Sequence, residues 1–159
     1  QYPSYLNEEY FQKVLQNLNK SSENYQILDI EIAPCNGGFL STLLRVTLKY
    51  QSESQIEEIS VVLKCDCTDE FALTKIGSEA YDVQNKEINL IKKIEQKMRE
   101  ICEKFNETSK VIPEIIFIDE INKILIFKDL RLENFTMADR KIGLDENHMK
   151  ISLQKLAKF

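Results

Sequence analysis

Val61-Val62-Leu63-Lys64 is an apolar run that ends on a lysine. An ammonium at the end of a buried strand is costly unless a partner is at hand. Upstream lies Asn36-Gly37-Gly38-Phe39-Leu40-Ser41. Glycines adopt positive φ freely and lack Cβ, so backbone amides at Gly37 and Gly38 can close on a phosphate. Downstream by 87 − 64 = 23 residues, near the start of a helical pattern, lies Glu87. A glycine turn, a strand lysine and a helix glutamate, in that order, are the parts needed to grip the phosphates of a nucleoside triphosphate. Each part also has a plain reading. The glycine pair suits any tight turn, Lys64 can snorkel to water, a helix-surface glutamate is ordinarily solvated, and Glu79 and Asp82 compete with Glu87 for the pairing role. Their order along one sheet-and-helix pattern favours the joint reading over three separate accidents.

The elements that would position these residues follow from periodicity. Asn7 is a candidate N-cap with Glu8 and Glu9 in the first turn, and Phe11, Val14, Leu15 and Leu18 recur at helical spacing, which predicts a helix over about 7–18. Ile27 to Ala33, Phe39 to Tyr50 and Ile59 to Lys64 read as three strands, with a turn over Pro34 to Gly38 and another over Gln51 to Gln55. Short links between them favour an antiparallel meander. Thr68 to Tyr81 reads as a loop. Ile88, Ile91, Ile94, Met98, Ile101 and Phe105 then mark one face of a helix over about 83–105, roughly 34 Å long. Ile115–Ile118 and Ile124–Phe127 flank the polar residues 119–123 as a hairpin. Residues 129–145 are polar and irregular, and a last helix begins at Asp145, a candidate N-cap. The sum is an α+β domain: a five-stranded antiparallel sheet covered by one long helix.

Composition bounds the function. A chain of 159 residues with 43% hydrophobic and 30% charged content is globular rather than disordered. Net charge is 21 − 26 = −5 with no basic cluster, which argues against nucleic acid as a partner but not against a single nucleotide. No apolar stretch approaches membrane-spanning length, so no membrane partner is expected. Of the four cysteines, Cys65 and Cys67 share a strand face if the strand runs on, without the second ligand pair a metal site would need. Cys35 and Cys102 stand apart, and the set fits a reduced, cytoplasmic setting.

The later residues carry a resemblance. Ile124-Leu125-Ile126-Phe127-Lys128-Asp129-Leu130, then Phe135, Ala138-Asp139-Arg140, Gly143-Leu144-Asp145 and Leu156-Ala157-Lys158-Phe159, are similar to the linker region of the ecdysteroid kinase-like (CHK kinase-like) family. Upstream, Pro3 to Asn7 resembles its opening helix. Asn36 to Ser41 with Arg45-Val46 resembles its glycine loop and following strand, and Glu87-Ile88 with Leu90-Ile91 its helix start. The likeness covers nearly the whole chain, and residues 138–145 are its most specific part. Asn36 stands where the family has its first loop glycine, Gly38 where it has asparagine, and Lys128 where it has the hinge glutamate.

The resemblance implies the protein kinase-like fold, with residues 1–128 as the ATP-binding lobe and 129–159 as the hinge and first helix of a second lobe whose remainder is missing. It implies transfer of the ATP γ-phosphate to a hydroxyl of a lipophilic alcohol, ecdysteroid-like or xenobiotic. By position, Gly37, Gly38 and Ser41 would cover phosphates, Lys64 would hold them and Glu87 would orient Lys64. Main chain around Lys128, Asp129 and Leu130 would meet the adenine, with Asp129 and Asp139-Arg140 fixing the hinge. Mg2+ would accompany ATP, its ligands expected in the missing lobe together with the catalytic loop. The single histidine, His148, lacks that loop's spacing and reads as an ordinary helix residue. This chain by itself is therefore expected to be inactive. Two other readings stay open: a non-catalytic kinase-like module binding a nucleotide or a partner, and an unrelated interaction domain in which Gly37, Gly38 and Lys64 are only structural.

Overall fold

Asn7 opens the first helix, α1 (Glu8–Asn19), and its side chain accepts a hydrogen bond from the Tyr10 N–H at 3.1 Å. This satisfies one of the amides that a helix start leaves without an intrahelical partner. Lys20 ends the helix in a left-handed conformation, its N–H turned back to the carbonyls of Asn17 and Gln16. The structure, a computed structural model, describes residues 2–35, 41–52, 55–66, 82–105, 113–139 and 141–157. Gly37, Gly38, Cys67, Arg140 and the loop expected at 68–81 lie outside these residues.

Five strands follow: β1 (Gln26–Pro34), β2 (Ser41–Ser52), β3 (Gln55–Asp66), β4 (Ile115–Asp119) and β5 (Ile124–Lys128). They form one sheet in the order β1-β2-β3-β5-β4, and every adjacent pair is antiparallel. The long helix is α2 (Val83–Phe105), and the last helix, α3 (Glu146–Leu156), is capped by Asp145. β2 and β3 run into the stretch expected as a turn over Gln51 to Gln55, since Ser52 and Gln55 pair as strand partners. Residues after Asp129 are not wholly irregular, since Leu130–Glu133 forms a short 3-10 helix.

Strand alternation divides the sheet into two faces. Leu44, Val46, Leu48 and Tyr50 of β2, Val61, Leu63 and Cys65 of β3, and Ile124 and Ile126 of β5 point one way. With Tyr10, Phe11, Val14 and Leu15 of α1 they form the main core. The helix that closes this core is therefore α1, not the long one. Phe11 and Leu15 are fully buried, and each such side chain contributes about 1.5–3 kcal/mol through burial.

The chain divides into two compact units, residues 1–88 with 114–129, and residues 89–113 with 130–159. The sheet, α1 and the first turns of α2 belong to the first. In the second, Asp139 accepts the Lys141 N–H through its carboxylate and the Gly143 N–H through its carbonyl. Gly143 has φ +77°, a conformation that favours glycine. No residue of α3 is buried.

Candidate functional site

The second face of the sheet holds the candidate residues Ser41, Lys64 and Asp129. The β2–β3 register sets Leu43 opposite Lys64, Arg45 opposite Val62 and Thr47 opposite Ser60. The β3–β5 register adds Leu125 opposite Lys64 and Phe127 opposite Val62. One row of this face therefore reads Leu43, Lys64, Leu125, and the next reads Arg45, Val62, Phe127. Ser41 shares the face by parity, two residues before Leu43, and is half-buried.

Lys64 and Glu87 are brought together. The lysine Nζ lies 2.5 Å from Oε1 and 2.7 Å from Oε2 of Glu87, so both carboxylate oxygens accept from one ammonium. The side chains are 26% and 28% exposed. The pair is thus sheltered enough to hold its geometry and open enough to meet a solute. Glu87 reaches Lys64 because it sits in the second turn of α2, whose start is anchored in three ways. Asp82 accepts from the Asn85 backbone N–H at 3.4 Å and from the Asn85 side chain. Lys123, at the tip of the β4–β5 hairpin, pairs with Asp82 at 3.2 Å. Gln84, 2% exposed, donates from Nε2 to the Lys64 carbonyl at 3.1 Å. Asp82, a competitor for the pairing role, is therefore engaged elsewhere, while Glu79 lies outside the described residues.

At the other end of this face stands a buried acid. Asp129 is 2% exposed and lies one position beyond the Val61–Lys128 pair. Its Oδ2 accepts from Arg45 Nε at 2.7 Å and from Ser60 Oγ at 2.8 Å. The hydrogen bond to Asp129 pushes the Arg45 guanidinium further up in pKa, against the opposing effect of burial. The Asp129 carboxylate is thus held by side chains of the same sheet. The Lys128 N–H is also spent, donating to the Glu114 carbonyl at 2.9 Å. Leu130 begins the 3-10 helix, and its carbonyl accepts the Phe135 N–H at 3.1 Å.

Gly37 and Gly38 lie outside the described residues, but the strands on either side of them are placed. Pro34 pairs with Leu44, and the Cys35 N–H donates to the Leu43 carbonyl at 2.8 Å, which makes β1 and β2 a hairpin across residues 36–40. Cys65 is buried on the core face, where loss of solvent pushes its thiol up to about 11, so it remains a protonated, unreactive thiol. A cavity of about 630 Å³ lined by Tyr5, Pro34, Leu44 and Cys65 among others also excludes Lys64 and Glu87 from its walls. Among the described residues no three His, Cys, Asp or Glu side chains converge as metal ligands would, and no helix is long and apolar enough to cross a membrane.

The sequence profile of the ecdysteroid kinase-like family matches residues 36–159. The chain belongs to the ecdysteroid kinase-like family. Membership implies a phosphotransferase-type enzyme of the small-molecule kinase kind, with a nucleotide and a small molecule as its partners in general terms. An α+β unit built on a five-stranded antiparallel sheet is compatible with the small lobe of that family's kinase-like fold. No curated protein and no solved structure matches the chain. Three participants escape a reading of the family's pattern alone: Ser60, Gln84 and the Arg45 side chain, which the family strand pattern includes without a partner. Only Ser60 leaves a sequence signal, as a polar residue two positions before Val62 and four before Lys64 on the same face of an apolar strand.

Proposed function

We propose that this chain is the ATP-binding part of a small-molecule kinase that transfers the γ-phosphate to a hydroxyl of a lipophilic alcohol, ecdysteroid-like or xenobiotic. The observation that carries the reading is the two-oxygen ion pair between Lys64 and Glu87 on a half-open face of the sheet. Lys64 presents its ammonium to the α- and β-phosphate oxygens. Glu87 holds that ammonium in place before the nucleotide arrives, so little is spent on ordering it at the moment of binding. Leu43, Val62 and Phe127, all half-buried on the same face, offer an apolar surface for a flat ring. Gly37, Gly38 and Ser41 close over phosphates, and main chain between Lys128 and Leu130 meets the adenine edge. Asp129 contributes by bracing that main chain rather than by touching the ring.

In this reading residues 1–128 are the small lobe, with α2 as its regulatory-type helix, and 129–159 form the hinge and first helix of the second lobe, in a protein of the cytoplasm. Mg2+ enters with ATP, and no residue of this chain is assigned to it. The family's name supplies the acceptor class.

Calorimetric titration of ATP into the wild-type chain and Lys64→Ala tests the proposal. Removing a charge-assisted phosphate contact is expected to cost about 2 kcal/mol, or roughly thirtyfold in affinity. Equal affinity in the two proteins would sink it.

A further inference from the structure

Lys64 is held by α2 at two points. Its ammonium meets Glu87, and its own backbone carbonyl accepts the Gln84 amide at 3.1 Å. Residues 84 and 87 are three apart, so they lie on one helix face and approach the same strand residue together. Gln84 is 2% exposed, and Ile88, on the next position of that face, is likewise 2% exposed. A buried amide is retained where its hydrogen bond is made, since an unmade one costs more than an apolar side chain would. The side-chain bond of Glu87 alone leaves the helix free to slide or roll about a flexible lysine. The Gln84 bond is different in kind, because it fixes the helix to the main chain of β3, which cannot move without breaking the sheet.

We infer that Gln84 is a positioning residue, which sets the register of α2 against β3 so that Glu87 meets Lys64 before any nucleotide binds. The consequence for catalysis rests on the nucleotide reading above; the clamp itself does not. Two variants separate the donor from the packing. Gln84→Met keeps the length and buried volume without the donor. Gln84→Glu keeps the shape and sets a carboxylate against the Lys64 carbonyl.

The readout is the rate at which acetic anhydride at low dose labels each lysine of the whole folded chain, resolved by peptide mass spectrometry. Glu87→Gln gives the reference for an unpaired Lys64. Both Gln84 variants are expected to label Lys64 faster by a factor of roughly 2 to 10, the net worth of one ordinary hydrogen bond. Lys123, paired with Asp82 at the helix start, keeps its wild-type rate. An unchanged Lys64 rate in both variants overturns the inference. So does a joint rise at Lys64 and Lys123, which would make Gln84 a residue of general folding only. No rise in Glu87→Gln would mean the pair is absent in solution, and the inference falls with it. An ATP titration of the same proteins keeps the two readings apart. Faster labelling of Lys64 in a chain that binds no ATP leaves the clamp standing and removes the nucleotide reading.

Discussion

Asp129 shows what a single residue costs when its partners are removed. Its carboxylate is 2% exposed, and one oxygen accepts from Arg45 and from Ser60. A guanidinium and a hydroxyl replace water that the charge has lost. Arg45→Ala deletes a counter-charge and leaves the acid in place. Urea unfolding is expected to show a loss of about 3–5 kcal/mol, the usual cost of stranding one half of a buried pair. A loss no larger than that of an exposed surface pair, about 1 kcal/mol or less, would refute this account. The same residues mark the limit of what could be read beforehand. Lys64 and Glu87 are joined by order and element type, which the sequence displays directly. Arg45 and Ser60 meet Asp129 across separations of 84 and 69 residues. Those contacts depend on how β2, β3 and β5 align, and no local pattern specifies a register between strands so far apart.

Among the elements, those with their own punctuation were legible. Asn7 and Asp145 are short polar residues before helical runs, and both cap the helices expected of them. Burial was harder to assign. α2 has the longest apolar stripe, yet Ile88 is its one buried apolar residue among those described, and Ile101 and Phe105 are 51% and 69% exposed. Periodicity identifies a face but not what covers it. The cap of α3 carries its own pH dependence. Asp145 accepts from the His148 backbone N–H and lies 2.7 Å from His148 Nδ1. These bonds, the backbone one first, hold the Asp145 carboxyl below its ordinary 3.8. They favour the charged form in the helix, so the cap is fully effective above the unfolded value. It is lost as pH falls through the lower folded one. The His148 amide proton resonance should therefore move in the acid range below 3.8, and fraying of residues 146–150 should accompany it. In Asp145→Ala the first turn is expected to be frayed already at neutral pH, with no acid titration. An acid transition that persists in Asp145→Ala would place its cause elsewhere.

For the whole molecule, a ligand that binds only the folded state stabilises it by an amount fixed by concentration and affinity. At about 100 times its dissociation constant ATP adds about 2.7 kcal/mol. For a chain of this size that raises Tm by roughly 5–10 °C. The Lys64→Ala protein, bound roughly thirtyfold more weakly, gains only about 0.9 kcal/mol at the same ATP concentration. The gain should also be local. Lys64 lies on β3, flanked by β2 and β5, within the unit that holds the main core. α3 belongs to the other unit and buries no residue. Amide exchange slows where opening is coupled to loss of the ligand, and stays fast where opening is local and leaves the ligand bound. ATP should therefore slow exchange in β2, β3 and β5 and leave α3 exchanging quickly. Equal thermal shifts in wild type and Lys64→Ala would mean that ATP binds away from the second face of the sheet. New protection confined to α3 would mean the same, because neither Lys64 nor the rows beside it could then be the contact that links nucleotide to fold.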